Sequence, residues 1–506
     1  MHINNSLISL LGGLLMLLSL PVSAAESAQW NPPNYTVPVN LPNCDAADAV
    51  VIDSMDKLKL LSDKNIRVFC FAPGDYRSAS VQEITGVSGR ASKPRVIRML
   101  GSDFDTPPAF ARAPLDKIPL LPPLYFRDAE HWIIDSVAFI DIDEAKGVFP
   151  MRFFASSDVV MNRLRVESNR HGIEFHHLSH DITLQNSLIG DMDMDPKEGN
   201  DAVCVAFEGR YTDKGQDAES AVIHNVRVVA NEIYNCNDGV QLIWNEDATH
   251  WPDFSDTLIA ANDIYIDQRR LTDCKGNLDP NGSCACTENA VDIKAGAKFA
   301  SKPVVIRNNR FYGWRKTDSI CNPDAQSWGT AISVHFVASQ NLRIEQNLFW
   351  DVVSGVSLVK KTKAVEVVDN LFHTVPKAGP GNGIAIISYE TVSDVNIARN
   401  RIVDANGWLS VLSKQTTLSC NVVNQSGAAI GGLSGDSFAD RNSYYQHGEP
   451  LFKSAGDVKK DGSAANDAEL CTVIRPLSNP GSVCLPMAVS TPSSPHACGA
   501  GYWAAN

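Results

Sequence analysis

Positive charge is the first thing this sequence is short of. Its 506 residues carry 44 Lys and Arg against 58 Asp and Glu, a formal net charge of −14. Binding a nucleic-acid backbone needs clustered Lys and Arg, so no nucleic-acid partner is expected. The same deficit means that an anionic substrate would need a local positive patch or a bound cation. Apolar length is lacking too. Beyond the first 25 residues no run of about 20 apolar residues occurs, and no membrane-spanning helix is expected. Zinc-type cysteine spacing is missing: Cys284-Ala285-Cys286 with Cys274 fits no common zinc pattern and has no His close by. Long stretches of helical periodicity are scarce, which turns attention to strands.

What is present begins with an apolar run from Leu7 to Leu20, followed by Pro21-Val22-Ser23-Ala24-Ala25. Residues 1–24 read as a secretory signal, so the protein is expected to be secreted or periplasmic. The 12 cysteines are then expected to be mostly disulfides.

From about residue 160 a repeat emerges. An Asn recurs with a large apolar residue two places later: Asn162/Leu164, Asn186/Leu188, Asn231/Ile233, Asn262/Ile264, Asn309/Phe311, Asn347/Phe349, Asn370/Phe372, Asn400/Ile402, Asn421/Val423 and Asn442/Tyr444. Most intervals also hold a short strand opened by a small residue, such as Gly239-Val240-Gln241-Leu242 or Ala331-Ile332-Ser333-Val334. Two or three short strands per repeat and an Asn at a fixed turn describe an all-β, right-handed parallel β-helix. Stacked Asn side chains can bond to one another and to turn backbone. Propellers and leucine-rich repeats fit worse, because the repeat length varies too much. The expected divisions are 25–67 for an N-terminal cap, 68–447 for the solenoid and 448–506 for an irregular, disulfide-held C-terminal cap.

Stacking the second strands builds columns on the outer face, because strand side chains alternate. One column reads Glu174, Cys204, Gln241, Asp292, Ser333, Ser357. Two residues further on it reads His176, Ala206, Ile243, Lys294, His335, Val359. Ahead of both lie His171, Asp201, Asp238, Asn289 and Thr330. Asp201, Asp238, Glu288 and Asp292 then share a patch that could hold Ca²⁺, since hard cations take oxygen ligands from several segments. A solvated acidic loop is the alternative. Trp244, Trp251, Trp314 and Trp328 fall in or beside the longest insertions and could stack on sugars, or pack the loop bases.

Such parts suit β-elimination on a uronic-acid polymer. The proton to be removed is α to a carboxylate, so a cation must neutralise that carboxylate and a base must lie within reach. Lys294 is the base only if a metal occupies Asp292, because a bare carboxylate would hold the ammonium charged. Otherwise Lys294 is a cationic clamp and His335 or Arg315 transfers the proton. Trp244, Lys316 and His176 are the expected substrate contacts. A monomer acting on an acidic polysaccharide is expected.

The segment Val291-Asp292-Ile293-Lys294-Ala295-Gly296 resembles the Asp-Ile-Lys-x-Gly segment of pectate lyases. Pro73-Gly74-Asp75-Tyr76 looks like the first coil of alginate and chondroitin lyases of the parallel β-helix fold. The resemblance implies that Asp292 helps bind Ca²⁺ and that Lys294 contacts the substrate carboxylate. Val304-Val305-Ile306-Arg307-Asn308-Asn309 lacks the Ser-Trp usual in pectate lyases, which leaves the polymer open. Two other classes remain: a β-helix glycoside hydrolase with paired Asp residues, which Asn237-Asp238-Gly239 loosely resembles although Gly-His-Gly and Arg-x-Lys segments are absent, and a non-catalytic carbohydrate-binding or cell-surface solenoid.

Overall fold

A computed structural model describes residues 32–450 except 102–103, 105, 143–148, 177, 193–201, 210–222, 244–251, 267–287, 315–328, 337–338, 376–382, 390, 406, 412, 414, 420, 425–429, 432–437, 441–442 and 447–448. The secretory signal and nearly all of the expected C-terminal cap therefore lie outside the described residues.

The chain winds as a parallel β-helix. Each full coil lays one strand into each of three sheets of 14, 14 and 12 strands, and non-consecutive strands neighbour one another throughout each sheet. The first sheet begins at Ala49–Ile52, the second at Gly74–Asp75 and the third at Gln82–Thr85. Among the described strands pairing is parallel from coil to coil, and Ser443–Gln446 pairs antiparallel with Glu449–Pro450. At the N-terminal end, a short 3-10 helix over Met55–Ser62 packs Leu58 and Leu61 into the core.

Inside the coil, like stacks on like. Phe126, Phe153, Phe175 and Phe207 form one ladder with ring centroids 4.8, 4.9 and 4.8 Å apart. Phe311, Phe349 and Phe372 form another. These spacings match the strand separation of a sheet, so in-register stacking alone produces offset aromatic contacts.

The turn between the first and second sheets carries the Asn ladder. Asn309 shows the pattern: its Nδ2 donates to Ile259 O at 2.9 Å and to Asn347 Oδ1 at 3.0 Å, while its Oδ1 accepts from Asn262 N and Nδ2 at 3.0 and 2.9 Å. Asn231, Asn262, Asn347, Asn370 and Asn400 repeat it, each almost completely buried. The residue before each rung has a left-handed φ, as at Ala230 (56°), Ala261 (56°) and Gln346 (56°). Two of the expected rungs are displaced. Ser187, not Asn186, meets Asn231, and Leu164, not Asn162, meets Ser187. Asn186 and Asn162 sit one and two positions early, Asn162 as the last residue of its first-sheet strand and Asn186 just after the end of its own. Asn442 lies outside the described residues.

Candidate active site

Val240, Leu242, Val291 and Ile293 point into the core. The pleat therefore turns Gln241, Asp292 and Lys294 to the outer face of the third sheet. The register is Arg152, Glu174, Ala206, Gln241, Asp292, Ser333, Ser357, one residue per coil. This corrects the sequence-derived column at one coil. Ala206, not Cys204, is the neighbour of Glu174 and Gln241, and Glu208 is paired with His176. Likewise Val203, not Asp201, is the strand partner of Asp238. The cause is Cys204. It lies in the column of small residues that includes Gly239 and Ala290, buried and bonded to Cys236. The sequence reading gave that place to Ala202 and slipped the strand by two. Asp201 itself lies outside the described residues.

Asp292 is the centre of the site. It is completely buried, yet it lies on the outward face. Its Oδ1 accepts from His335 Nε2 at 2.5 Å, and its Oδ2 accepts from Gln241 Nε2 at 3.0 Å and pairs with Lys294 Nζ at 3.2 Å. Gln241 Nε2 also reaches Asp238 Oδ2 at 3.3 Å, and Asn289 Nδ2 donates to Asp238 Oδ1 at 3.3 Å. Burial would push the Asp292 carboxyl up; the His335 and Lys294 charges and the hydrogen bonds outweigh it and hold the group well below the usual range. An ionised carboxylate only accepts, so the His335 Nε2 facing it carries the proton. Nδ1 is then the ring nitrogen of a neutral His335 left to take up another.

Sequence reasoning thus brought Lys294, His335, Asp292 and Asp238 to one patch, and the strand register gathers them there. Glu288 is next to Asn289 and bonds through its backbone N to Asn237 O at 2.9 Å. His176 stands three strands away from Asp292, about 14 Å at the spacing of sheet strands. There it bonds Glu174 at 2.7 Å and stacks on Phe154. Glu174 is also paired with Arg152. Burial raises this carboxyl, and the His176 hydrogen bond and charge, with Arg152 and Glu208, pull it down to about 2. Arg152 and Glu208 were missed. Extending the column one coil back to Met151–Phe154, and counting Cys204 as the small residue, would have found both. Trp314 is a packing residue, fully buried, with Nε1 donating to Ile264 O at 3.2 Å. Arg315, Lys316, Trp244, Trp251 and Trp328 lie outside the described residues.

Of the expected calcium ligands, Asp238, Glu288 and Asp292 lie on two adjacent coils, and Asp201 lies outside the described residues. Calcium takes six to eight oxygens. Here both Asp292 oxygens are engaged by donors, two of them on Lys294 and His335, where the approaching cation would have to sit. The described residues do contain two other groups of three metal-ligand side chains: Glu174, His176 and Glu208, and His180, Asp181 and His224.

No protein-family model and no curated protein matches the sequence. Solved structures do. A mannuronic-acid-specific polysaccharide family 6 lyase from human gut microbiota superposes with a TM-score of 0.50 at 12% identity, over 78% of this chain and 86% of its own. The chain shares the parallel β-helix fold of that lyase. An alginate lyase from Paenibacillus sp. str. FPU-7 matches at TM-score 0.43 and 13% identity, over 69% of this chain and 94% of its own. A GH136 lacto-N-biosidase from Eubacterium ramulus matches at 0.40 and 11%, over 69% and 61%. At 12% identity the likeness to the family 6 lyase bears on the fold alone; the reaction has to be argued from the site.

Proposed function

We propose that the protein is an exported polysaccharide lyase that cleaves a uronic-acid polymer by β-elimination. The observation that carries this is one buried, ionised carboxylate, Asp292, holding an ammonium and an imidazole side by side on the outer wall. An ammonium has three donors, so Lys294 can hold Asp292 and a uronate carboxylate together. Pairing with that carboxylate makes the adjacent C5–H more acidic. Neutral His335, oriented by Asp292, takes the C5 proton at Nδ1. The electron pair forms the C4–C5 double bond, and the C4–O bond breaks. The protonated imidazole, or water, then supplies the leaving oxygen with its proton. Lys294 is the clamp in this scheme, because the charge of Asp292 opposes its loss of a proton. The resemblance of Val291–Gly296 to a pectate-lyase segment and the fold shared with a mannuronate-specific lyase support the substrate class.

A paired-carboxylate hydrolase is less well supported, since its base or nucleophile must present an oxygen to water or sugar and both oxygens of Asp292 are engaged by His335, Gln241 and Lys294. Calcium, expected from the sequence, has no step here; activity is expected to persist in chelator. The deciding experiment is a panel of uronic-acid polymers, mannuronate-rich alginate included, assayed for ultraviolet-absorbing unsaturated ends. Reducing ends without that absorbance would mean hydrolysis, and no product from any polymer would favour a binding solenoid.

A further inference from the structure

His180, Asp181 and His224 form a group on the first sheet, away from the wall that carries Asp292. His180 opens the strand His180–Gln185, and His224 lies just ahead of the strand Val226–Val229 in the next coil. Backbone bonds fix the two coils together at this point: Asp181 N donates to His224 O at 3.1 Å and Ile182 N to Asn225 O at 3.2 Å. Stacking therefore brings two imidazoles together, with ring centroids 4.9 Å apart. His180 Nδ1 lies 2.6 Å from Asp181 Oδ2. One ligand atom from each residue lies within 4.8 Å of the other two.

Three features separate this group from an ordinary surface pair. First, His224 Nδ1 is buried and has no hydrogen-bond partner, although buried ring nitrogens are normally satisfied. Second, Asn225 Nδ2 donates to Asp181 Oδ1, the kind of outer contact that orients a ligating carboxylate. Third, the His180 and Asp181 side chains are 39% and 35% exposed, so an ion has a path in.

We propose that His180, Asp181 and His224 are a binding site for a divalent transition ion of the zinc type. Two imidazoles and one carboxylate suit such ions, whereas Ca²⁺ and Mg²⁺ prefer oxygen-only sets. Tetrahedral zinc with bonds of about 2.0–2.2 Å spaces its ligand atoms about 3.4 Å apart, between the 2.6 Å of His180 Nδ1 to Asp181 Oδ2 and the 4.8 Å within which all three ligand atoms lie. The ion displaces the proton shared by His180 and Asp181, satisfies His224 Nδ1, and leaves one position for water. It would clip the coil that carries the strand His180–Gln185 to the next coil, which carries Val226–Val229. This site is independent of the lyase reading.

The test uses the full, untagged chain and Zn²⁺ alone, followed by calorimetric titration and thermal unfolding, with Ca²⁺ as control. One Zn²⁺ per chain and an unfolding temperature that rises with Zn²⁺ but not with Ca²⁺ are expected. His180→Gln and His224→Gln are each expected to weaken this binding by more than the roughly 10–100-fold that loss of an outer contact costs. Asp181→Asn gives a third variant should either His variant fold poorly. Absence of Zn²⁺ binding, or binding of equal affinity in all folded variants, overturns the proposal. Co²⁺ in place of Zn²⁺ adds a direct readout: d–d absorption bands are expected, and they should disappear in the variants.

Discussion

At the scale of single residues the molecule turns on Asp292. Its burial without positive partners would be untenable, because an isolated buried carboxylate is strongly disfavoured. Lys294, His335 and Gln241 make it stable as an anion. Removing the charge and removing a partner should therefore have unequal effects. Asp292→Asn leaves the Lys294 ammonium facing a neutral amide; breaking a buried pair in this way costs about 3–5 kcal/mol, to be read from denaturant midpoints. Lys294→Met keeps the His335 and Gln241 bonds and removes a side chain that is 21% exposed, so a smaller loss of stability is expected. On activity the order changes. His335→Gln and Lys294→Met should each lower turnover by about 10²–10⁴, the range for a positioned proton-transfer or charge-stabilising group. Normal unfolding midpoints with lost turnover would assign these two side chains to the chemistry. Normal turnover in His335→Gln would remove it from the role of base.

At the scale of the element, the coil is held by its turn as much as by its sheets. Each Asn of the ladder satisfies a carbonyl and an amide of the preceding coil and donates to the Asn of the following one, all away from water. Asn309→Ala would orphan Ile259 O and the amide N of Asn262. With about 1–3 kcal/mol for each buried group left unpaired, a loss of about 3 kcal/mol or more is expected, against little change for an exposed Asn elsewhere. The small-residue column is a second such device. A Cβ on Gly239 would stand 2.5 Å from Ala290 O and 2.9 Å from Ile264 Cγ2. The oxygen belongs to backbone and cannot swing aside, so Gly239→Ala should destabilise by about 1–3 kcal/mol, the usual range for overpacking. Because Gly239 follows Asp238 and precedes Gln241, a shift there should also reduce activity, and Gly239→Ala crystals or spectra would show the displaced strand.

At the scale of the whole molecule, stability is a sum over neighbouring coils, and the outer wall of the third sheet contributes charged groups to that sum. Glu174 and Asp292 both have carboxyls held at about 2 in the fold, against ordinary values of 4.5 and 3.8. For each, burial acts upward and the paired cations act downward more strongly. A group whose folded value is depressed stabilises the fold at pH above its unfolded value, and that contribution disappears as pH falls through the folded value. Stability should accordingly be flat from neutral pH down to about 5 and fall steeply between about 4.5 and 2, as followed by far-ultraviolet circular dichroism. Glu174→Gln is expected to lower stability at pH 7 and to flatten the acid limb; an unchanged limb would show that other carboxylates set it.

The repeat of Asn and apolar residues determined the coil by itself, because a solenoid writes its period into every turn: the same buried pocket must be filled by the same chemistry each time. Alternation within Ala290–Lys294 likewise determined that Asp292 and Lys294 face away from the core. Register did not follow from sequence alone. Ser187 serves as well as Asn at one rung, and Cys204 serves as the small residue at another while it is bonded to Cys236, so local pattern matching slipped by one or two positions at those coils. That Asp292 meets Lys294, His335 and Gln241 of its own chain was likewise visible only in the tertiary structure. Lys294 and His335 come from different coils, and the stacking distance between coils brings the His335 ring nitrogen within 2.5 Å of a carboxylate 43 residues away.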